Sequence, residues 1–282
     1  MKIESVCFMP DGTNIEYTVS GNGEKLLFIH GSSKTSSEKS DLAEVIAARF
    51  TVYQYDRRGW GNSGPKGKDY SLAKECEDAA RFIADHEIDC VFGDDYGAVI
   101  ALNLALFVPL KKIILFEPFL AFLRNLNWLP KMERYLEKKD YFNAIAAYTK
   151  GTNHKTRFVP SFLVKKLYAA FSIDPNKKMM TKIIEYDDPK QQTRYIKDIE
   201  SDEWISNKRM LDNIPVELIT ARQLEQGLDG LRSLTADVLI VCKRESEPFV
   251  FAAVDKLEAL IPNNRKITVA SAADFINNGR DL

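Results

Sequence analysis

Short apolar runs alternate with segments of helical periodicity in both end regions of the chain. Continuous apolar runs predict strands of a buried parallel sheet, because helices must cover both faces of such a sheet. Ahead of them, two alternating runs flank Pro10-Asp11-Gly12, which predicts a β-hairpin with a tight turn. The predicted sheet strands are KLLFIHG, TVYQYD, CVFGD, KKIILFE, DVLIVCK and RKITVA. The pattern predicts an α/β fold with a mostly parallel, doubly wound sheet and an N-terminal hairpin.

The strand signal disappears between Pro118 and Leu231, where helical stretches such as LPKMERYLEKKDYFNAIAAYTK and PSFLVKKLYAAF follow. We therefore predict a core formed by residues 1–118 and 232–282, with an inserted helical lid at 119–231. An insertion above the carboxyl ends of parallel strands lies where open α/β sheets bind ligands. We expect a small-molecule ligand or substrate in an apolar pocket under this lid.

Composition narrows the function classes. The chain has 282 residues with 39 Lys+Arg and 40 Asp+Glu, a formal net charge of -1, which argues against nucleic acid or an anionic membrane as a partner. The N-terminus lacks the apolar region of a secretory signal, and no stretch approaches the roughly 18 apolar residues of a membrane span. We expect a cytoplasmic protein without cofactor or metal, with a homodimer as one option.

A five-residue pattern, Gly93-Asp94-Asp95-Tyr96-Gly97, joins an apolar strand to an apolar helix. In the pattern Gly-x-nucleophile-x-Gly, the glycines let strand and helix pack closely and the central side chain is held in a strained turn. The helix that begins near Tyr96 adds free backbone N–H groups and a positive dipole end. The pattern predicts that Asp95 is the reactive residue.

Four motifs occur in the order LLFIHGSS, YDRRGWGNSG, IILFEPF and LIPNNRKITVASAADF. With the pattern Gly93–Gly97, called the elbow below, they resemble the α/β-hydrolase superfamily, in particular its small bacterial members. Most members carry serine at the position of Asp95, and a subset resembling haloalkane dehalogenases and epoxide hydrolases carries aspartate. The resemblance implies that the backbone N–H groups of Ser32 and Tyr96 form the oxyanion hole and that His30 is structural.

The resemblance fails at the catalytic base. The family uses a histidine near the C-terminus to activate water. When the motif LIPNNRKITVASAADF is aligned with the family pattern, Asp274 falls at the position of that histidine. His154, in the predicted lid, is an alternative base that we interpret as a solvated loop residue. His86 is interpreted as structural.

The acid position has two alternatives. Glu117 directly follows the strand KKIILF, and we prefer it because Pro118 fixes the chain as it leaves the sheet. Glu245 and Glu247 follow DVLIVCK, where most other members keep the acid, and we interpret both as solvated.

The residues that would bind the leaving group do not distinguish a dehalogenase from an epoxide hydrolase. Dehalogenases resembling this chain place tryptophan after the nucleophile, where Tyr96 stands here. An epoxide hydrolase needs lid tyrosines as acids, and the predicted lid has several candidates: Tyr135, Tyr141, Tyr148, Tyr168, Tyr186 and Tyr195.

The three triad positions would thus hold Asp95, Glu117 and Asp274. Close carboxylates cannot all stay ionised in a low dielectric, which leaves three interpretations: a proton-sharing acid/base pair, a site for a metal or an amine, or a vestige. We predict a hydrolase for ester, epoxide or carbon-halogen substrates with a degenerate triad, in which Asp95 is nucleophile or general base. The alternatives are a catalytically silent small-molecule-binding protein and a non-hydrolytic enzyme on the same fold.

The adjacent arginines Arg57 and Arg58 precede a glycine-rich stretch. Their spacing is not that of a phosphate-binding loop, so we interpret them as bracing the strand end. The segment after them predicts a helix with Ser71 as its N-cap.

Overall fold

Eight strands form one sheet in the computed structural model, which describes residues 3–32, 41–172, 201–271 and 274–275. The strand order is β1-β2-β4-β3-β5-β6-β7-β8, and every neighbouring pair from β4 to β8 is parallel. The strands are β1 Ile3–Phe8, β2 Asn14–Gly21, β3 Glu24–Ile29, β4 Phe50–Tyr55, β5 Cys90–Asp94, β6 Lys112–Phe116, β7 Asp237–Lys243 and β8 Asn264–Val269. The predicted fold class, a mostly parallel α/β sheet, is confirmed.

The predicted N-terminal hairpin and the predicted N-cap at Ser71 are also present. Strands β1 and β2 form the antiparallel hairpin around the predicted turn, and β2 pairs antiparallel with β4. Ser71 caps the helix Leu72–His86, accepting a hydrogen bond from the Lys74 N–H at 3.2 Å. The serine hydroxyl satisfies one of the N–H groups that the first turn leaves without an intrahelical partner.

The chain divides into two compact units, residues 1–124 with 216–282, and residues 125–215. The first contains the sheet, and the second is helical and overlaps the predicted lid; a lid function remains a prediction. The α-helices are α1 Asp41–Ile46, α2 Leu72–His86, α3 Tyr96–Leu104, α4 Leu129–Glu137, α5 Tyr141–Thr152, α6 Ser161–Phe171, α7 Asp202–Ala221 and α8 Pro248–Leu260. Among the helices of the described ranges, none is long and apolar enough to cross a membrane.

The buried central strands position the functional site. Phe28, Phe92 and Phe116 pack in one apolar cluster on the sheet, with Phe28 and Phe92 stacked at a ring-centroid distance of 4.9 Å. In the register of β5 and β6, Asp94 lies opposite Phe116. The next residues, Asp95 and Glu117, therefore leave the sheet side by side at the carboxyl ends of neighbouring strands.

Candidate active site

Asp95 lies at the tip of a sharp turn between β5 and α3. Its backbone has φ 51° and ψ -110°, a conformation that non-glycine residues rarely adopt and that costs about 1–3 kcal/mol. The turn is held on both sides, since the Asp95 N–H donates to the Phe116 carbonyl at 3.0 Å and the Asp95 carbonyl accepts from the Ala98 N–H at 3.1 Å. Strand β5, this one-residue turn and helix α3 thus follow one another directly.

Gly97 lets α3 lie directly against β3. A Cβ atom at Gly97 would lie 2.0 Å from the Ile29 carbonyl oxygen, and neither backbone can move without displacing the elbow.

We expect Gly97→Ala to lower the free energy of unfolding by about 3 kcal/mol, measured by urea denaturation. Gly12→Ala is the control, because a Cβ there meets no atom within 4 Å and only the positive φ is penalised, by about 1–2 kcal/mol. Equal losses in the two variants would contradict this account.

The Asp95 carboxyl group lies in a pocket lined by backbone. The backbone N–H groups of Ser32 and Tyr96 lie beside it and lower its pKa. A Cβ at Gly31 would lie 2.9 Å from the Asp95 Cβ and 3.2 Å from Oδ2, so the glycine leaves room for the carboxyl group. The structure therefore brings together three residues that the sequence associated with the site: Asp95, Ser32 and Tyr96.

Two opposing effects set the acidity of Asp95. Burial raises its pKa, while the positive charge of Arg124 and the two backbone N–H groups lower it, and the net pKa lies above its ordinary value. Arg124 was not found by sequence reasoning. Its guanidinium lies 4.2 Å from the centroid of the Phe249 ring and 5.5 Å from that of Phe119, which helps to fix its position.

Glu117 points toward the end of β7. Its Oε1 accepts hydrogen bonds from the Lys243 N–H at 2.7 Å and the Ser246 hydroxyl at 2.5 Å, and its Oε2 lies 3.2 Å from Lys243 Nζ. No hydrogen bond among the described residues joins it to Asp95. Like Asp95, Glu117 has a positive φ, 51°. Glu245 is exposed and Glu247 is the half-buried N-cap residue of α8.

Asp274 lies in a short helical turn, where its N–H donates to Ser271 Oγ at 3.2 Å. The next residue, Phe275, is fully buried and its ring contacts Phe92 and Phe116, with centroid distances of 6.1 and 6.0 Å. This packing anchors the segment to β5 and β6, the strands that lead to Asp95 and Glu117. No hydrogen bond among the described residues joins Asp274 to Asp95.

His30 is not free to act as a catalytic base. Its Nδ1 donates to the Gly31 carbonyl at 2.7 Å and its Nε2 accepts from the Arg57 N–H at 3.0 Å, so both ring nitrogens are committed in the neutral form. Burial and the nearby Arg57 charge lower its pKa to about 3. His86 packs against Tyr53 at the opposite end of the strands, with a centroid distance of 4.6 Å. The side chain of His154, like Tyr186 and Tyr195, lies outside the described residues.

A buried cluster of charges supports the loop that contains Ser32. The Arg57 guanidinium donates to the carbonyls of His30 at 3.0 Å and Gly31 at 3.1 Å, directly before Ser32. The same group pairs with Glu75 at 2.8 Å and Glu217 at 3.0 Å. The predicted bracing role of this arginine therefore matches the contacts, and Arg58 makes a similar buried pair with Asp78.

Glu217 is a site residue that sequence reasoning missed. One of its oxygens accepts from Arg57, from Trp60 Nε1 at 2.8 Å and from Lys66 Nζ at 2.9 Å, and the Ser32 hydroxyl also hydrogen-bonds to its carboxyl group. Burial raises its pKa, but the charges of Arg57 and Lys66 outweigh burial and lower it to about 2. Glu217 is therefore an anchor for Ser32 and a poor proton acceptor.

One cluster outside the elbow has metal-ligand chemistry. Among the described residues, Glu24, Asp89 and Cys90 bring ligand atoms within 4.8 Å of one another. Lys111 Nζ already neutralises Glu24 at 2.6 Å, and burial raises the pKa of the Cys90 thiol to about 12, which disfavours the thiolate that a metal requires. All four cysteines of the chain are free.

Comparison with known proteins gives one consistent family. The sequence pattern of a family described as alpha/beta hydrolase fold matches residues 25–277. An uncharacterised hydrolase of Bacillus subtilis is 32% identical over 143 residues, covering 49% of this chain and 53% of the relative. The chain thus matches about half the length of that protein.

Two further similarities concern fold and local sequence. An alpha/beta hydrolase from Sphaerobacter thermophilus has a similar structure, with a TM-score of 0.67 at 22% identity over 94% of this chain and 91% of that chain. At this identity the likeness shows the fold alone. A bifunctional epoxide hydrolase of Sus scrofa is 30% identical over 103 residues, 35% of this chain and 19% of that protein.

Proposed function

Because the chain belongs to the α/β-hydrolase fold family, we propose that it is a small-molecule hydrolase in which the Asp95 carboxylate is the nucleophile. The observation that carries this proposal is the position of the Ser32 and Tyr96 N–H groups beside the carboxyl group of Asp95 itself. A serine enzyme needs such donors for an oxygen of the substrate. An aspartate enzyme needs them for its own carboxyl oxygen, which becomes the oxyanion when water attacks the ester intermediate.

The proposed reaction has two steps. In the first, one Asp95 oxygen attacks a carbon of the substrate, a carbon–oxygen ester bond forms, and the carbon–oxygen or carbon–halogen bond to the leaving group breaks. In the second, a base takes one proton from water as the water oxygen adds to Cγ of the Asp95 ester, and the negative charge develops on the oxygen held by the Ser32 and Tyr96 amides. Collapse then breaks the bond between Cγ and the substrate oxygen, which takes up the second proton of the water and leaves as the alcohol, and the carboxylate is restored.

Among the substrate classes, the contacts favour an epoxide over a haloalkane. The Tyr96 hydroxyl is committed to Thr220 Oγ1 at 2.6 Å inside the core, so it is not positioned to bind a leaving halide. The sequence similarity to an epoxide hydrolase points the same way. Activated esters remain in the substrate panel.

Activation of the hydrolytic water is the step that the side chains of this site support least. We propose that Asp274 and Glu117 occupy the base and acid positions of a degenerate triad; the packing of Phe275 on β5 and β6 supports this for Asp274. Glu117 is bound to Lys243 and Ser246, so it would hold the loop after β7 in place rather than activate water. We therefore expect ester hydrolysis to be slow relative to ester formation.

The commitment of both His30 nitrogens favours a second candidate function, a catalytically silent binding protein that keeps the ligand pocket. Mass spectrometry distinguishes the two. Intact wild-type protein is incubated with epoxides, haloalkanes and activated esters in H₂¹⁸O. An enzyme accumulates an adduct on the Asp95 peptide, or incorporates ¹⁸O into that carboxylate after turnover. Absence of adduct, label and turnover across the panel would support the binding protein.

The Arg124 charge gives a pH test of the same proposal. The nucleophile must be ionised, so kcat/KM should rise with pH through the pKa of Asp95. Because Arg124 lowers that pKa, Arg124→Gln should move the acid limb of the kcat/KM profile to higher pH. Arg81→Gln, on the exposed face of α2, should leave the limb unchanged. A limb that stays in place or moves to lower pH in Arg124→Gln would count against Asp95 as the ionising nucleophile.

A further inference from the structure

The helical unit contains a cavity of its own, formed by α4, α5 and the start of α6. Its volume is about 270 Å³, slightly below the roughly 300–1,000 Å³ of pockets that hold drug-sized ligands. All of its described lining residues lie between 128 and 161, within the helical unit. These residues alone form a concave site for a small ligand.

Among the described residues, the lining of this cavity carries three positive charges and no negative one. Lys131 from α4, Lys150 from α5 and Arg157 from the segment before α6 all contribute to it. No aspartate or glutamate is among the described lining residues, and none of the three cations forms an ion pair within the described part of the chain. Three cations from three segments around one cavity, in a chain of net charge -1, indicate an anionic ligand.

The Trp128 ring also lines the cavity. Its indole Nε1 is buried behind the lining surface and has no hydrogen-bond partner among the described residues. The ring is fixed by an edge-on contact with Tyr148 at 5.8 Å and by close packing on Gly151, where a Cβ would lie 2.2 Å from the ring.

The start of α6 adds backbone donors. Ser161, a lining residue, is the first residue of this helix, and its N-cap residue Pro160 provides no side-chain acceptor. The first N–H groups of a helix have no intrahelical partner, and the helix dipole favours negative charge there. Together with an arginine, such donors suit a tetrahedral oxyanion.

We propose that this cavity binds the phosphate group of a small phosphorylated molecule, held by Lys131, Lys150 and Arg157 beside the Trp128 ring. The cavity exceeds what phosphate alone fills, so a small organic group can accompany it. The site is independent of Asp95 chemistry: it requires no turnover, and the proposed hydrolase function can fail without affecting it.

The indole N–H gives a direct readout. The chain has three tryptophans, so a ¹H–¹⁵N spectrum of the full protein shows three indole signals, and Trp128→Phe identifies the relevant one. Titration with phenyl phosphate should shift the Trp128 signal saturably and leave those of Trp60 and Trp204 in place. If phenyl phosphate binds more tightly than inorganic phosphate, the ligand is a phosphate ester. If the two bind equally well, the ligand is free phosphate.

Variants separate a built site from general charge attraction. Lys150→Gln and Arg157→Gln should each weaken binding about tenfold, since each removes a charged hydrogen bond. Lys166→Gln, an exposed change on α6, should leave the affinity unchanged, and Asp95→Asn should as well. No saturable shift, an equal shift with sodium chloride at matched ionic strength, unchanged affinity in both cavity variants, or loss of binding in Asp95→Asn would overturn the proposal.

Discussion

Asp95→Asn is expected to lower the turnover of any substrate that the wild type hydrolyses by about 10³-fold or more. The amide has nearly the shape of the carboxylate and can still occupy the elbow, but it is a poor nucleophile and cannot form the ester. Turnover is measured under single- and multiple-turnover conditions, and mass spectrometry of the variant excludes deamidation back to aspartate. Asp85→Asn, the same change on the exposed face of α2, is the matched control and should retain full activity. Substantial residual turnover in Asp95→Asn would contradict nucleophilic catalysis by Asp95.

The same variant should be more stable than the wild type at pH 7. Burial raises the pKa of Asp95 in the folded protein, so the folded state binds the proton more tightly than the unfolded chain. Stability is therefore lost as pH rises through that pKa, and the ionised carboxylate is unfavourable at neutral pH. Replacing it with an amide should raise the free energy of unfolding by about 1 kcal/mol at pH 7. The difference should vanish at pH 3, below the unfolded pKa. A loss of stability at pH 7 in urea denaturation would argue against a destabilised carboxylate.

Arg57→Met should produce the largest loss of stability among the changes considered. The Arg57 guanidinium contacts Glu75 and Glu217 at 2.8 and 3.0 Å, with all three side chains almost fully buried. Removing it leaves two buried carboxylates without their shared cation, which typically costs about 3–5 kcal/mol. Urea denaturation measures the loss. Arg81→Met, which breaks an exposed pair with Asp85, should cost less than about 0.5 kcal/mol.

A double variant tests the cause. In Arg57→Met/Glu75→Gln one of the two stranded charges is neutralised, so the protein should recover part of the stability that Arg57→Met loses. Activity provides a second readout, because Arg57 holds the carbonyls of His30 and Gly31 and thereby orients the Ser32 amide. If the double variant is less stable than Arg57→Met, the stability lost in Arg57→Met comes from packing rather than from unpaired charge.

The charge cluster also predicts an acid-sensitive fold. Glu217 has a pKa of about 2 in the folded protein, against an ordinary value of 4.5. Its ionised form therefore stabilises the fold above about pH 4.5, and this stability is lost as pH falls from there toward 2. Glu217→Gln should flatten that part of the stability profile.

Local sequence was sufficient to predict the sheet and to locate the turn that contains Asp95. Buried parallel strands must be apolar on both faces, so β3, β5, β6 and β7 appear as continuous apolar runs. Gly93 and Gly97 mark the turn in the sequence and led to the proposal of Asp95 and Tyr96, although contacts with Phe116 and Ile29 hold the turn in place. The family resemblance supplied Ser32, which the fold brings to the same point.

Only the tertiary structure decided which polar partners meet. Glu217 lies 160 positions from Arg57 in the chain yet shares its buried cluster, and Arg124 acts on Asp95 from outside the elbow. The sequence associated Glu117 with the nucleophile, whereas its carboxylate binds Lys243 and Ser246. The physical reason is that hydrophobic periodicity records whether a segment is buried, whereas the partner of a charged side chain depends on how distant segments pack and on where its charge can be neutralised.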